Sequence, residues 1–403
     1  MFKKVWGKLE KACILGLGQY HQRKVRDENC IVFITDYMSS RIEKIGYALK
    51  KKGFKVIIFL QNKGVGEGIY HNGKNDLYDK LFVFHNMFSL YFLCFQFNPL
   101  VYHICSTCYV PKWAALLIKN KKKLGRVVYD QYDIYRDMYG EKKPHLLAYE
   151  KYCLENADGL VCRNFQTQYL KKKYHYQYKG ERILFLDYCW NRKPPHKTFK
   201  SEKEELSIVY GGRLLPRKSN NPLSQIEWDG LSAWVETTKR HSAKMIAVAY
   251  NLTNEHEFKD FYRLAKKNPN FVLKEKMDLD ELIVYESKMD YGTDTFELAK
   301  DQQGNYENFN FEAREKYCAT NKYFDYIDAG IPIICGRNQE MLSRYLEKYH
   351  IVFWCTLEQL AERMDELKQR RNEYAQNVAV ARKRLSVENQ ILRLIRFYRR
   401  LQV

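Results

Sequence analysis

The chain has 403 residues, a length that predicts two or three domains. Hydrophobic residues make up 45% and charged residues 29%, a mixture that excludes a wholly disordered chain. Lys and Arg number 68 against 48 Asp and Glu, so the formal charge of +20 indicates an anionic partner. The 11 cysteines stand at irregular spacings that give no disulfide framework, and we therefore expect a cytoplasmic protein.

Both ends of the chain are basic. Residues 1–26 hold seven Lys or Arg and one Glu, and the last 22 residues hold the same numbers. Apolar side chains recur at helical spacing in both segments: Phe2, Val5, Trp6, Leu9 and Cys13 in the first, and Ile391, Leu394, Ile395 and Tyr398 in the second. A basic helix with an apolar stripe either lies on an anionic membrane surface or docks on the protein's own core. We expect both helices to hold the protein at such a surface.

Strands and helices are predicted to alternate from residue 29 onward. Short β-rich apolar runs predict five strands in the first half: Cys30–Asp36, Lys55–Leu60, Leu100–Cys105, Arg126–Asp130 and Gly159–Cys162. Helices are expected after the capping residues Ser39 and Ser40, near Lys112–Lys119 and across Ala148–Glu155. Polar residues interrupt the apolar stretch from Leu81 to Phe97. This stretch predicts a buried or interfacial segment, because a membrane span needs about 20 mostly apolar residues.

The alternation stops over residues 187–205, where a Pro pair followed by charges predicts a linker. It then restarts with four strands: Leu206–Tyr210, Met245–Tyr250, Phe271–Glu275 and Ile331–Cys335. Alternating strands and helices form parallel sheets that helices cover on both faces. We therefore predict an α/β fold with two Rossmann-like domains facing each other across a cleft. In such sheets, ligands bind beyond the carboxyl ends of the strands.

Two segments of the second half carry residues suited to binding a phosphate. In YGGRLLPRK, a predicted strand ends in Gly211 and Gly212, which leave room for a ligand near the backbone, and Arg213 and Lys218 follow. In ATNKYFDYIDAGIPII, a helix carries Asp325 and ends near Gly330. The amides at the start of this helix, over residues 320–323, together with Lys322, are expected to bind a diphosphate.

These two segments resemble the donor-binding motifs of nucleotide-sugar glycosyltransferases with two Rossmann domains, the GT-B architecture. The spacing G-R-L-x-P-x-K at Gly212–Lys218 is similar to their diphosphate loop, and NKYFDYIDAGIPII is similar to their donor-binding helix. In the first half, ENADGLVCRN resembles the strand that precedes their interdomain linker. The resemblance covers roughly residues 30–365 and is closest to the retaining "family four" branch.

The resemblance implies a role for each matching residue. Arg213 and Lys218 would hold the donor diphosphate and stabilise the leaving group, and Asp325 would bind the ribose hydroxyls. Asn321, Lys322 and the backbone at Gly211 and Gly212 would lie near the phosphates. Tyr317 stands where the family has a glutamate that contacts the donor sugar, and Asp325 is shorter than the usual ribose-binding glutamate.

The predicted organisation therefore has five parts, and the last helix is expected to return to the N-terminal domain. The parts are a basic amphipathic extension at 1–28, an acceptor domain at 29–190, a linker at 191–205, a donor domain at 206–380 and a basic C-terminal helix at 381–403.

Acceptor residues are expected at strand ends of the first domain: Asp36, His103, Asp130 and Asp133. A carboxylate there, with Asp133 as our candidate catalytic residue, would orient an acceptor hydroxyl or take its proton. The other interpretation of each is a loop residue that hydrogen-bonds nearby amides.

Two further patterns suggest metals. The triplet Asp278–Asp280 raises a metal-dependent, single-domain (GT-A) transferase as an alternative, but Asp280 is placed as the N-cap of a helix. Cys105 and Cys108 form a single C-x-x-C pair without a matching second pair, which is typical of structural thiols. We expect no metal site.

The sequence thus predicts a glycosyltransferase that moves a hexose from a nucleotide-sugar to a glycan acceptor, lipid-linked, in surface polysaccharide biosynthesis. The donor would be a substrate, with no cofactor, and transfer would be metal-independent and retaining. The expected partners are the nucleotide-sugar, the acceptor and an anionic membrane surface on the cytoplasmic side, with no nucleic acid. One alternative is a non-catalytic GT-B protein that binds sugar or nucleotide as a partner subunit. Another is a basic nucleic-acid-binding protein that uses both halves as scaffold.

Overall fold

The computed structural model describes residues 25–61, 77–106, 112–132, 134, 144–191, 201, 204–217, 223–241, 243–249, 251–252, 255–294, 313–336 and 339–401. The chain divides into two compact units, Met1–Leu186 with Gln390–Val403, and Asp187–Asn389. The amphipathic stripe predicted within residues 1–28 lies outside the described residues, as do Asp133, Lys218 and most of the predicted linker.

The first unit contains a seven-stranded parallel sheet with the strand order β3-β2-β1-β4-β5-β6-β7. Its strands are β1 Asp27–Thr35, β2 Lys55–Gln61, β3 Lys80–Phe84, β4 Pro99–Ser106, β5 Val127–Gln131, β6 Gly159–Cys162 and β7 Glu181–Leu184. In the centre, Ile31 pairs with Val56 of β2 and with Val101 of β4. These central strands are apolar on both faces because helices cover both sides of the sheet.

Six helices lie in the described residues of the first unit before its C-terminal segment. They are α1 Ser40–Lys51, α2 Met87–Gln96, α3 Lys112–Lys119, α4 Lys121–Leu124, α5 Pro144–Asn156 and α6 Gln166–Tyr174. The Ser39 hydroxyl caps α1 by accepting from the Ile42 amide, as the sequence predicts. The stretch Leu81 to Phe97 is not one segment, because Asn86 and Ser89 form a capping box that starts α2 after β3.

The second unit contains a six-stranded parallel sheet with the order β10-β9-β8-β11-β12-β13. Its strands are β8 Leu206–Gly212, β9 Ala243–Ala249, β10 Phe271–Lys274, β11 Tyr291–Thr293, β12 Ile333–Cys335 and β13 Val352–Trp354. Its helices are α7 Leu223–Arg240, α8 Lys259–Lys267, α9 Leu279–Glu286, α10 Lys322–Ala329, α11 Glu340–Glu347, α12 Leu357–Leu360 and α13 Met364–Arg384, and one π-helical turn spans Ala313–Tyr317.

The last helix, α14 Val387–Arg400, packs from Gln390 onward within the first unit. A Cβ atom on Gly159 of β6 would lie 2.7 Å from both Phe397 and Leu401, so the helix lies directly on that strand. Its apolar stripe is buried, with exposures of 0–5% at Ile391, Leu394, Ile395 and Tyr398. The expectation that this stripe faces a bilayer is wrong, because the protein's own core covers it. None of the helices in the described part of the chain has the length and apolar composition of a bilayer span.

Candidate functional site

The carboxyl end of β8 is shaped by two glycines that other side chains approach closely. A Cβ atom on Gly212 would lie 2.5 Å from Cε of Lys322, and one on Gly211 would lie 2.3 Å from Oε1 of Glu286. The Gly211 amide donates to Oη of Tyr326 at 2.9 Å. Neither glycine can carry a side chain without moving its neighbour, so the strand end and α10 lie in direct contact.

The loop after β8 is held by side chains from two other segments. The Leu215 amide donates to Oε2 of Glu227 at 2.8 Å. Asn251 accepts from the Leu214 amide at 3.0 Å and donates to the Leu214 carbonyl at 2.6 Å. The Tyr210 hydroxyl lies 2.8 Å from the Arg213 carbonyl and 2.9 Å from Oε1 of Glu227. This loop, which carries the predicted phosphate-binding residues, therefore has a defined backbone path from Arg213 to Leu215.

Glu227 is a buried carboxyl group at the base of this loop. Burial raises the pKa of Glu227 to about 7, although the hydrogen bond from Tyr210 and the nearby charge of Lys322 oppose the shift. Its charge therefore changes near neutral pH. Sequence analysis missed this residue, because a glutamate in the first half of a helix carries no signal that distinguishes it from a solvated one.

Lys322 presents its ammonium group at the same strand end. Its Nζ lies 4.0 Å from Oδ1 of Asp294 and 5.2 Å from the ring centre of Tyr210. The side chain is 15% exposed, while Asp294 is almost fully buried and accepts from Nε2 of Gln339 at 2.6 Å. A fixed carboxylate and an aromatic face thus position one cation beside Gly212.

The amides at the start of α10 are only partly available to an anion. The Thr320 amide donates to Oε1 of Gln339 at 2.5 Å, so this group is already used within the protein. Of the amides predicted to bind a diphosphate over residues 320–323, the first is therefore not available as a donor. Asn321 stands at the N-cap and is half-buried, and its side chain makes no capping hydrogen bond.

The remaining predicted donor residues occupy different environments. Arg213 is exposed in the loop after β8, and Asp325 is half-buried in the first turn of α10. Tyr317 is buried at the end of the π-helical turn, and Nζ of Lys316 lies 5.8 Å from its ring centre. Lys218 lies outside the described residues.

Glu286 is the most unusual group near the site. It is fully buried at the end of α9, and neither carboxyl oxygen has a hydrogen-bond partner among the residues that the structure describes. Burial, together with the negative charges of Asp325 and Asp328, raises the pKa of Glu286 well above its usual range. Burial therefore favours the neutral form of this side chain. Sequence analysis also missed this residue.

In the first unit, the candidate acceptor residues His103 and Asp130 are buried in an ion-pair network. Asp130 accepts from Nε and Nη2 of Arg41 at 2.7 and 3.1 Å, and His103 Nε2 lies 3.1 Å from its Oδ2. Tyr398 Oη lies 2.6 Å from His103 Nδ1. Burial alone would raise the pKa of Asp130, but Arg41 and His103 hold it below the usual value.

Asp130 and His103 are therefore not placed to meet an acceptor from solvent, since both are at most 1% exposed and fully engaged with protein groups. Asp36 is half-buried after β1, and Asp133 lies outside the described residues.

The Asp278–Asp280 triplet caps a helix, but through a different residue than predicted. Asp278 accepts from the Glu281 amide at 2.8 Å, and Glu281 accepts from the Asp278 amide at 3.2 Å. Asp280 is the second residue of α9. Within the described ranges, no cluster of three His, Cys, Asp or Glu side chains is arranged to hold a metal ion.

No family model and no curated protein matches the sequence. Solved structures do match over almost the whole chain. An alpha-glucosyltransferase in complex with UDP-glucose and DNA containing an abasic site is 13% identical, covers 93% of this chain and 99% of its own, and gives a TM-score of 0.56. Alpha,alpha-trehalose 6-phosphate synthase from Burkholderia multivorans is 8% identical, with coverages of 93% and 97% and a TM-score of 0.52.

UDP-GlcNAc 2-epimerase from Neisseria meningitidis, bound to UDP-GlcNAc, is 9% identical, with coverages of 92% and 99% and a TM-score of 0.51.

The exclusion of nucleic acid as a partner is wrong, because the alpha-glucosyltransferase holds DNA together with UDP-glucose or UDP. We inferred that exclusion from missing sequence motifs. A basic surface binds phosphates without any such motif, so their absence excludes nothing.

At these identities the likeness concerns the fold alone. The two parallel sheets and the coverage of complete neighbouring chains agree with the architecture predicted from the sequence. The chain therefore has the two-domain Rossmann-like fold of the GT-B glycosyltransferases.

Proposed function

We propose that this protein is a nucleotide-sugar glycosyltransferase whose donor diphosphate binds at the carboxyl end of β8. The observation that carries the proposal is the contact between Lys322 and Gly212, where a Cβ atom would lie 2.5 Å from Cε of the lysine. This contact places the ammonium-bearing side chain of Lys322 at the end of β8, where Gly212 has no side chain that would obstruct a ligand. The carboxyl end of a parallel strand is where ligands of open α/β sheets bind.

The chemistry of transfer follows from this placement. Departure of a nucleoside diphosphate builds negative charge on the β-phosphate, and preorganised cations stabilise that charge. In our proposal Lys322 and Arg213, with Lys218, supply the cations, so transfer needs no metal. Asn321 would contact the phosphates, Asp325 the ribose hydroxyls and Tyr317 the donor sugar, with retention of configuration. The carboxylate of Asp294 would keep Lys322 oriented as the phosphate arrives.

For the acceptor we propose a lipid-linked glycan of surface polysaccharide synthesis, with the basic extension over residues 1–28 on an anionic membrane and Asp133 orienting the acceptor. The support is the amphipathic sequence pattern of that extension. A nucleic-acid acceptor is a second candidate, supported by the alpha-glucosyltransferase structures that contain DNA and by the formal charge of +20.

Nucleotide binding is the first test. The full chain would be heated with UDP, GDP, ADP, CMP and their sugar conjugates, alongside Lys322→Ala, Arg213→Ala and the control Lys266→Ala, an exposed lysine of the same unit. A ligand at a hundred times its dissociation constant stabilises the folded state by about 2.7 kcal/mol. We expect one base to stabilise the wild type and the control but not Lys322→Ala. Equal stabilisation of all four proteins would contradict the site.

Turnover separates the enzyme from its non-catalytic alternative. Release of nucleoside diphosphate from the sugar conjugate would be measured with undecaprenyl-type lipid glycans, free glycans and oligonucleotides as acceptors. Release that depends on one acceptor class supports the transferase and names that class. Binding of the nucleotide without release across the panel would instead favour a binding partner protein.

A further inference from the structure

A groove of about 950 Å³ lies along β7, the last strand of the first sheet. Its walls are β7 and α6, and neither contributes to the donor site described above, which lies in the other unit. The groove is open to solvent and of mixed polarity, so an apolar ligand has little reason to bind there. We refer to it as the edge groove, after its position at the edge of the sheet.

The edge groove carries an excess of positive charge. Lys171, Lys172 and Arg182 line it, and all three are exposed. Its single lining carboxylate, Glu181, is bound by Nε of Arg400 at 3.0 Å, so a cation from outside the groove neutralises it. The field inside the groove is therefore positive, and a concave wall strengthens such a field.

The two lysines are not engaged with protein groups in the described part of the chain. Their neighbour Lys173 differs, because its Nζ donates to Oη of Tyr169 at 2.6 Å and lies over that ring. Lys171 and Lys172 form no ion pair with the described residues, whereas Lys173, the next residue of the same helix, is held by its hydrogen bond to Tyr169. Two free ammonium groups on a groove wall are suited to an incoming anion.

A peptide strand is a poor occupant for this edge. Nη2 of Arg393, from α14, donates to the Leu184 carbonyl at 3.2 Å and so uses an acceptor that an added strand would need. A flat membrane is also a poor fit, since Lys171 and Lys172 belong to the wall of a concave site. A flexible chain of phosphates fits a concave site and does not need hydrogen bonds from the backbone of β7, because cations alone can hold it.

We propose that the edge groove binds the phosphodiester backbone of a nucleic acid. Lys171, Lys172 and Arg182 contact successive phosphates, and binding is independent of sequence because no base is read. The proposal does not depend on glycosyl transfer, and it stands whether or not the other unit binds a nucleotide-sugar.

The test uses fluorescence anisotropy of labelled single-stranded and double-stranded oligonucleotides with the full chain, without donor. Lys171→Ala/Lys172→Ala is compared with Lys266→Ala/Lys267→Ala. Both pairs are exposed near the carboxyl end of nine-residue helices, α6 and α8, so the charge change and the exposure are matched. We expect the first variant to bind about tenfold more weakly at low salt and the control to bind like the wild type.

The salt dependence gives a second readout. The slope of log K against log salt concentration should become shallower by about 1.4 in Lys171→Ala/Lys172→Ala, since each single-strand phosphate contact contributes about 0.7. Lys171→Arg/Lys172→Arg should keep wild-type affinity because it keeps the charge. Nucleotide-dependent thermal stabilisation in the second unit should be unchanged in all variants, which separates this proposal from that of the donor site.

Three outcomes overturn the proposal. Equal weakening in both lysine pairs means that only net charge matters. Binding to anionic phospholipid vesicles that requires Lys171 and Lys172, without oligonucleotide binding, means that the groove serves a membrane. Self-association of Lys171→Ala/Lys172→Ala with unchanged oligonucleotide affinity means that these lysines only protect an edge strand from pairing.

Discussion

Two carboxyl groups, Asp130 in the first unit and Glu286 in the second, are almost equally buried, and yet their pKa values shift in opposite directions. Asp130 accepts two hydrogen bonds from Arg41 and is 1% exposed, and its pKa is lowered. Glu286 is 0% exposed, has no hydrogen-bond partner in the described part of the chain, and its pKa is raised. Burial acts in the same direction on both, so the presence of a cation decides in which direction the pKa shifts.

The comparison separates two roles for buried charge. The charged group, Asp130, joins β5 to α1, β4 and, through His103 and Tyr398, to the C-terminal helix. Its value is in holding elements together. The group with the raised pKa, Glu286, lies against Gly211 near the end of β8 and makes no hydrogen bond to the described residues. A buried carboxyl group without partners costs stability, and its position next to the proposed donor site is the feature that substitutions can test.

The largest effect on the free energy of unfolding is expected from removing Asp130 from its ion pair with Arg41. Asp130→Ala should destabilise the fold by about 3–5 kcal/mol, because it leaves the Arg41 guanidinium buried without its counter-charge. Urea denaturation at pH 7 measures this. A double variant, Arg41→Met/Asp130→Leu, should recover much of the loss, since it removes both charges. A single variant with wild-type stability would show that the pair is not closed in solution.

The same pair predicts a pH dependence. The pKa of Asp130 is lower in the folded than in the unfolded state, so its stabilisation is present above the unfolded pKa and is lost as the pH falls through the folded value. The difference in unfolding free energy between wild type and Asp130→Asn should therefore shrink on acidification from pH 5 to pH 3. A difference that stays constant over this range would contradict the ion pair.

Glu286 should respond in the opposite direction. Its folded pKa is raised, so the unfolded chain releases the proton first and the folded state loses stability as the pH rises above about 4.5, by at most about 1.4 kcal/mol per pH unit. Glu286→Gln removes this proton. We expect the stability of this variant relative to wild type, measured by urea denaturation, to increase as the pH rises above about 4.5. A pH-independent difference would show that the pKa of Glu286 is not raised in the folded state.

Glu227 lies between the two cases, because it accepts hydrogen bonds and yet has a raised pKa of about 7. Its effect on stability should develop between about pH 4.5 and pH 7 and then stop, amounting to at most about 3 kcal/mol. The stability of Glu227→Gln relative to wild type should therefore increase with pH only between about pH 4.5 and pH 7. Unfolding curves at pH 5, 7 and 8 test for this plateau, and a difference that still grows between pH 7 and pH 8 would contradict it.

The smallest effect is expected where the carboxylate is paired but exposed. Glu373 accepts from Arg370 at 3.1 Å on the surface of α13, and the hydrogen bond from Arg370 lowers its pKa. Solvent screens this pair, so Glu373→Ala should change stability by less than about 0.5 kcal/mol and 0.5 M NaCl should remove the difference. A loss close to that of Asp130→Ala would mean that pairing alone, without burial, sets the energy.

Much of the sheet was predictable from local sequence. The runs at Gly159–Cys162 and Lys112–Lys119 coincide with the observed strand and helix, since a buried strand and an amphipathic helix each have their own spacing of apolar residues. The apolar stretch from Leu81 to Phe97 was predicted only as a buried or interfacial segment, and it contains the end of β3 and all of α2. Hydropathy does not show the change from strand to helix, whereas the Asn86–Ser89 capping box does.

The residues of the proposed donor site were predictable only in part. Its glycines and Lys322 stand in motifs that can be recognised in a single sequence, and the structure brings them together. Glu227 and Glu286 carry no such pattern, because their pKa shifts arise from burial by elements distant in the chain. The function expected of Asp130 also failed for this reason, as Arg41 lies 89 residues away.

The sequence by itself indicated nine of the described strands, the two-sheet α/β architecture and the places of Gly211 and Gly212 and of the cations near them, but not β3, β7, β11 or β13. These properties depend on residues within about 15 positions of one another, where spacing and capping act directly. Only the tertiary structure decided in which direction the pKa of each buried carboxyl group shifts and that the C-terminal stripe is covered. Tyr398 meets His103 across 295 residues, and such a contact depends on how whole elements pack, which no local pattern contains.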